Sequence, residues 1–150
     1  MRLIIQRVKN ASVTIENAVF SSINGGLMVL VGIEDADDEK DVDWLIQKLI
    51  NMRIFSDPEG KMNLSVKEIN GEILVVSQFT LHASTQKGNR PSFIKAARPE
   101  KAIPLYDDFI EKLNKELGRD CKTGSFGADM KVELINDGPV TIFIDSKSKE

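Results

Sequence analysis

Two runs of consecutive aliphatic residues stand out in the hydrophobic pattern of the chain. Leu27–Ile33 and Ile73–Val76 are almost free of polar side chains, which is typical of strands buried on both faces. The second run opens directly into Ser77, Gln78 and Thr80. A buried strand that ends in hydroxyl and amide groups is where an α/β protein often places a site. The plain alternative is a strand end whose hydroxyls cap the next helix.

Alternating stretches precede these runs and predict strands with one buried face. Arg2–Val8 and Ser12–Glu16 both have this pattern. Asn17 predicts a turn that leads into a hairpin partner at Ala18–Ile23, and Asn24-Gly25-Gly26 is a second turn signal. The opening half is therefore predicted to be an antiparallel meander.

Two segments have the period of amphipathic helices. The first begins where Asp37 or Asp38 can cap it, and its apolar stripe consists of Val42, Leu45, Ile46, Leu49 and Ile50. The second is predicted over Pro99–Leu117, with Gly118 just past its end. Pro104 is expected in its first turn, where no backbone N–H is missed.

The last part of the chain predicts two more strands, Met130–Ile135 and Val140–Asp145. Asn136-Asp137-Gly138 between them is a hairpin signal, although Pro139 cannot donate a hydrogen bond to a strand ladder. The whole pattern predicts an α/β protein of the α+β type, with a mostly antiparallel sheet and two amphipathic helices.

The composition is that of a soluble globular protein. With 150 residues, 41% hydrophobic and 29% charged, the chain is expected to form one domain over residues 1–150. The single cysteine, Cys121, cannot form an internal disulfide, which favours the reducing cytoplasm. No apolar run approaches the ~20 residues that span a bilayer, so no membrane partner is expected.

Charge is distributed unevenly along the chain. The net charge of −3 argues against indiscriminate binding to nucleic acid, and no DNA partner is expected. The segment Lys87–Lys101 nevertheless has five cations and one acid, which suits a few phosphates unless it is only a solvated loop. The acidic segment Glu34–Asp43 lacks the glycine and distal glutamate of a calcium loop and reads better as a helix start. No metal and no cofactor are predicted.

The chain lacks the motifs of most enzyme classes. It has neither type of glycine-rich phosphate loop and no Cys/His cluster for zinc. A pair of Ser77 or Thr80 with His82 is conceivable, but the polar sequence around His82 predicts plain exposure. Without a base, a site at the end of this strand would depend on positioning the substrate and on backbone N–H groups that stabilise an oxyanion. That suits an activated acyl compound such as an ester.

Two motifs resemble the signature pair of the D-aminoacyl-tRNA deacylases. They are Ser77-Gln78-Phe79-Thr80-Leu81 and Asn136-Asp137-Gly138-Pro139-Val140-Thr141. Further segments in the same order extend the resemblance along the chain: Gln6-Arg7-Val8, Arg53–Asp57, Gly60–Leu64, Arg90–Phe93 and Ala128–Met130. The resemblance implies a barrel-like core and a homodimer with active sites at the subunit interface. It also implies a substrate, the acceptor end of D-aminoacyl-tRNA.

The resemblance assigns roles to particular residues. Ser77, Gln78, Phe79 and Thr80 would form the catalytic stretch, with the Phe79 N–H stabilising the oxyanion and water as the preferred nucleophile. Gly138 and Pro139, joined by a cis bond, would enter the partner's pocket, hold the substrate's amino group and reject L side chains. Arg7 would steady that loop, and Met130 is grouped with the substrate-binding residues. The same steric logic implies cleavage of glycyl-tRNA.

Two alternatives remain open at this point. The chain could be a small-ester hydrolase with Thr80 or Ser77 as a covalent nucleophile. It could also be a module that binds the tRNA end without catalysis.

Overall fold

The computed structural model describes residues 1–149 as a mixed α+β fold built on a nearly closed, barrel-like sheet. The sheet is mostly antiparallel, with β6 parallel to two neighbours, and two helices accompany it, as predicted. In chain order the elements are β1 (Arg2–Ile15), β2 (Ala18–Ile23), β3 (Gly26–Gly32), α1 (Glu39–Asn51), β4 (Phe55–Ser56), β5 (Met62–Leu64), β6 (Glu72–Ser77), a 3₁₀ turn (Phe79–His82), α2 (Pro99–Leu117), β7 (Lys122–Thr123) and β8 (Lys131–Asp145).

The first half of the sheet is not a meander, and that prediction was wrong. β1 is a single strand of 14 residues, and both β2 and β3 pair with it antiparallel. β2 and β3 lie end to end along the same edge of β1. Their pairing with β1 keeps a single register, since Ala11 opposes Ile23 and Val8 opposes Gly26. The chain therefore continues through Asn24-Gly25 without reversing. The turn at Asn17 is confirmed, with the positive φ of 63° that tight hairpin turns require.

β8 is also one strand, so the predicted hairpin at residues 136–139 was wrong. It runs antiparallel to β1 over its whole length, but the register shifts in the middle. Gln6 pairs with Thr141 and Val8 pairs with Asn136, so two residue steps on β1 lie opposite five steps on β8. The extra residues, Asp137–Val140, leave the ladder as a bulge, which we call the Gly-Pro bulge.

The two long apolar runs are strands buried on both faces, as predicted. On one face, Leu27, Val29, Ile73 and Val75 pack in the core that includes both helices. On the other, Met28, Leu74 and Val76 pack inside the barrel with residues of β1 and β8. The Ser21 hydroxyl donates to the Thr123 carbonyl at 2.7 Å, which brings β2 to β7 and nearly closes the barrel.

α1 has the predicted start and apolar face, and α2 has the predicted limits. Asp38 is the N-cap of α1, and its carboxylate accepts from the Lys40 N–H at 2.9 Å. Gly118 ends α2 in the left-handed conformation. Pro104 is the exception. It lies inside α2 rather than in the first turn, because Pro99 already occupies the first helical position. Within the described chain, no helix is long and apolar enough to cross a membrane.

Gly26 marks the closest approach between β3 and β6. A Cβ at Gly26 would lie 1.8 Å from the carbonyl oxygen of Glu72, a backbone atom that cannot rotate away. A Cβ at the neighbouring Gly25 would meet nothing nearer than 4.0 Å. We predict that Gly26→Ala lowers the free energy of unfolding by more than about 2 kcal/mol, whereas Gly25→Ala changes it by less than about 0.5 kcal/mol. Urea denaturation of both variants measures this, and equal effects would contradict the close approach.

Candidate active site

A cavity of about 300 Å³ opens where β3 and β6 end. Its walls come from these strand ends, from the start of α2 and from the segment that leads into β8. The residues that line it are Val31, Ile33, Val76, Ser77, Gln78, Phe79, Ala97, Ala102, Phe126, Gly127, Ala128, Asp129, Met130 and Val132. The structure therefore brings three of the four predicted catalytic residues and Met130 to one cavity.

The 3₁₀ turn presents backbone donors at the cavity. Gln78 N–H still continues the sheet by donating to the Val31 carbonyl at 2.7 Å. The first hydrogen bond of the turn runs from Leu81 N–H to the Gln78 carbonyl, at 3.3 Å. The N–H groups of Phe79 and Thr80 precede that bond and so have no partner within the turn. Such N–H groups at a helix start favour negative charge, as an oxyanion site requires.

Three contacts that the sequence did not reveal hold this turn in place. Gly32 lets it pack directly on β3, since a Cβ there would lie 2.8 Å from Leu81 Cβ. At the other end, Arg2 Nη1 donates to the Leu81 carbonyl at 2.9 Å, and Arg2 Nε donates to Asp145 at 2.8 Å. A glycine in an apolar strand is a signal for such close approach. Nothing in the sequence near Arg2 pointed to residue 81.

Among residues 1–149, no basic side chain is hydrogen-bonded to the Thr80 hydroxyl. The Gln78 side-chain amide donates to the Thr80 hydroxyl oxygen at 2.5 Å. His82, expected to be exposed, is only 2% exposed, and that prediction was wrong. Neither of its ring nitrogens has a hydrogen-bond partner among residues 1–149, so the structure forms no Ser–His or Thr–His pair. Burial lowers the pKa of His82, which keeps its imidazole neutral at pH 7.

The Gly-Pro bulge lies apart from this cavity in the same chain. Gly138 and Pro139 are joined by a cis peptide bond and both are exposed. Arg7 Nε donates to the Asp137 carbonyl at 2.8 Å, and Arg7 Nη1 donates to the Ile54 carbonyl at 2.6 Å. The bulge is thus tied to β1, while the cavity opens at the ends of β3 and β6.

The Gly138 position leaves no space for a side chain. Its φ of +143° is one that L residues rarely adopt, and a Cβ there would lie 2.8 Å from Val140 Cγ2. Asn136 closes the bulge by accepting the Val140 N–H at 2.8 Å. The bulge therefore presents backbone to the solvent rather than side chains.

The segment with the basic residues follows the 3₁₀ turn as a closed loop. Ser84 and Ser92 exchange two backbone hydrogen bonds of 2.8 Å, and Lys87 and Arg90 are exposed within the loop. No group of three or more His, Cys, Asp or Glu side chains in residues 1–149 is arranged to hold a metal ion.

A cavity lined by the start of this 3₁₀ turn, with no Ser–His or Thr–His pair among the described residues, is suited to hydrolysis of an activated acyl compound. Comparison with known proteins agrees with this class. Residues 4–145 match the family described as D-Tyr-tRNA(Tyr) deacylase. The chain therefore belongs to that family and is a hydrolase.

Curated relatives and solved structures are similar to the chain in sequence and in fold. The D-aminoacyl-tRNA deacylases of Flavobacterium psychrophilum and Bacteroides thetaiotaomicron are 63% and 61% identical to the chain over 150 residues, the full length of each protein. A solved structure described as "c-Myc DNA Unwinding Element Binding Protein" is 43% identical with a TM-score of 0.90, covering 97% of this chain and 98% of its own. A "probable eukaryotic D-amino acid tRNA deacylase", 20% identical with a TM-score of 0.82 over 95% and 97% of the two chains, shares the fold.

Proposed function

We propose that the protein hydrolyses the ester bond of D-aminoacyl-tRNA and releases the free amino acid and tRNA. The observation that carries this proposal is the 3₁₀ turn: Phe79 lines the cavity, and the Phe79 and Thr80 N–H groups have no hydrogen-bond partner within the turn. The family and the deacylases of the same length support the substrate class. The reaction belongs in the cytoplasm, where tRNA is charged.

The chemistry needs little from side chains. The ester joins the amino acid to a ribose hydroxyl of the terminal adenosine, and the neighbouring 2′-hydroxyl lies next to the carbonyl. A substrate that brings its own hydroxyl can assist an attacking water without a protein base. The protein would then supply the cavity, the orientation and the Phe79 N–H for the developing oxyanion. Buried, neutral His82 takes no part.

The second half of the site would come from another copy of the chain. Within residues 1–149, β8 pairs with β1 alone, and its long open edge can serve as a pairing surface. Ile135 and Phe143 on this strand are 53% and 58% exposed. A homodimer that covers them would explain how the Gly-Pro bulge, remote from its own cavity, reaches the cavity of its partner.

The protein would distinguish D from L amino acids through backbone atoms rather than through a pocket lined by side chains. In this proposal the carbonyls of Gly138 and Pro139 hold the α-amino group, and their backbone occupies the space that an L side chain needs. Arg7 fixes the bulge through the Asp137 carbonyl, and Met130 forms part of the cavity wall. Glycine has no side chain to reject, so glycyl-tRNA would also be a substrate.

The other hypotheses have less support. A covalent route through Thr80 or Ser77 needs a base, and the Thr80 hydroxyl instead accepts a hydrogen bond from Gln78. A purely RNA-binding module does not require the unpaired N–H groups at the cavity. The name of the 43% identical relative refers to DNA, but the net charge of −3 does not favour a duplex-binding surface here.

An assay with matched substrates tests the proposal. We expect hydrolysis of D-aminoacyl-tRNA and glycyl-tRNA and protection of the L-aminoacyl-tRNA with the same side chain. The Thr80→Ala protein should retain most of its activity, because its hydroxyl is not the nucleophile. Ester loss is followed with labelled amino acid. Equal cleavage of D and L substrates, or intact glycyl-tRNA, would contradict the steric mechanism. An acyl-enzyme trapped on Thr80 would favour the covalent route.

Phe79→Pro tests the oxyanion donor directly. Proline removes the N–H but suits the first position of a helical turn, and Gln78 before it, with φ of −146° and ψ of 84°, lies outside the α region that a following proline disfavours. We expect kcat to fall by about 10²–10³-fold. The matched control Phe79→Ala removes the ring and keeps the N–H, so kcat should stay within about threefold of wild type. If both variants lose kcat equally, the ring matters and the N–H does not.

A further inference from the structure

Large apolar side chains are exposed at one side of the cavity mouth. Phe79 is 56% exposed, Phe93 is 37% exposed and Ile94 is 89% exposed. The Phe79 and Phe93 rings meet edge to face, with centroids 5.1 Å apart. We call these three residues the apolar platform. Single exposed apolar residues are common, but a cluster rimmed by charges marks a binding surface.

Backbone hydrogen bonds on both sides fix the platform. Before it, Ser92 is paired with Ser84 through two bonds of 2.8 Å. After it, Ala97 N–H donates to the Ile33 carbonyl at 2.9 Å, which ties the segment to the end of β3. Ala97 and Phe79 both line the cavity, so the platform is continuous with the cavity wall. A ligand that extends from the cavity past Phe79 therefore meets the Phe93 ring next.

The charges around the platform define the chemistry of that ligand. Arg90, Lys95 and Arg98 are exposed next to it in the chain, although the protein as a whole has a net charge of −3. A ligand with phosphates for these cations and flat faces for the rings is an unpaired nucleic acid strand. A phospholipid has a phosphate and apolar chains but no flat face to stack on the rings, and a peptide lacks the phosphate at every step that three neighbouring cations can bind.

We propose that the apolar platform binds the unpaired nucleotides that precede the terminal adenosine of the RNA, with Phe93 stacking on a base. The inference rests on the proposed function, because it places the aminoacylated adenosine in the cavity. Phe93 is then a substrate-binding residue that acts on affinity for the RNA and not on the chemistry of the ester. The alternative is that Phe93 only supports the ring of Phe79.

Truncated substrates separate these two roles. Phe93→Ala should raise KM for D-aminoacyl-tRNA about tenfold, which corresponds to loss of one stacked base, with kcat nearly unchanged. The same variant should hydrolyse D-aminoacyl-adenosine, which lacks the preceding nucleotides, at the wild-type rate. Phe93→Trp should restore KM because it keeps a stacking face. Phe20→Ala, which removes an exposed phenylalanine from β2, is the matched control and should leave both activities unchanged.

Each outcome decides the proposal. Equal losses on both substrates would assign Phe93 to support of Phe79, and wild-type KM on D-aminoacyl-tRNA would show that the platform binds no RNA. A separate binding experiment tests the platform independently of the proposed hydrolysis. It uses a hairpin RNA with an unpaired CCA end and the same hairpin without those nucleotides. Preferential binding of the first hairpin, weakened about tenfold by Phe93→Ala, supports the platform even if the wild-type protein hydrolyses no ester. If the wild-type protein shows no such preference, or if Phe93→Ala does not weaken it, the platform does not bind RNA.

Discussion

The parallel pairing of β3 with β6 is the contact on which the site depends. The ladder runs from Gly26 opposite Glu72 to Val31 opposite Ser77, and both strands are buried on two faces. The last bond of this contact, from Gln78 N–H to the Val31 carbonyl, fixes where the sheet ends and the 3₁₀ turn begins. A shift of one residue in this register would exchange the two faces and move the turn away from the cavity.

Glycines make this pairing and the turn possible. Gly26 admits the backbone of β6 at one end of β3, and Gly32 admits the turn at the other. With Arg2 bound to the Leu81 carbonyl, the turn is held from both sides before any substrate arrives. Rigid donors that need no rearrangement are what electrostatic stabilisation of a transition state requires. The site that we propose therefore relies on backbone geometry in both halves, at Phe79–Thr80 and in the Gly-Pro bulge.

Local signals in the sequence predicted the parts of the fold that depend on neighbouring residues. The Asp38 cap, the limits of α2 and the two doubly buried strands all follow from propensity and periodicity within short segments. Apart from the position of Pro104, the errors in the fold concern partners far away in the chain. Asn24-Gly25 and residues 136–139 have the composition of turns. In each case the residues before and after the segment both pair with β1, so the chain does not reverse there.

The same limit applies to the site. The Ser77–Thr80 stretch was found because a buried strand ends there. The burial of His82 and the contact of Arg2 with the turn depend on the packing of β1, β3 and the turn together, and no local pattern encodes that packing. Exposure of Phe93 was equally invisible in the sequence. A role for the Gly-Pro bulge came only from its resemblance to a family motif, because the role we propose for it requires a second chain.

In the proposed site, one chain supplies the turn and another supplies the bulge. This sharing is tested by activity of mixed dimers of Phe79→Pro and Gly138→Ala, each inactive alone and purified through two different tags. If the site is shared, one of the two sites in the mixed dimer has both lesions and the other has none. We then predict about half of the wild-type activity per dimer. Mixed dimers as inactive as their parents would show that each chain builds its site alone and would contradict the account.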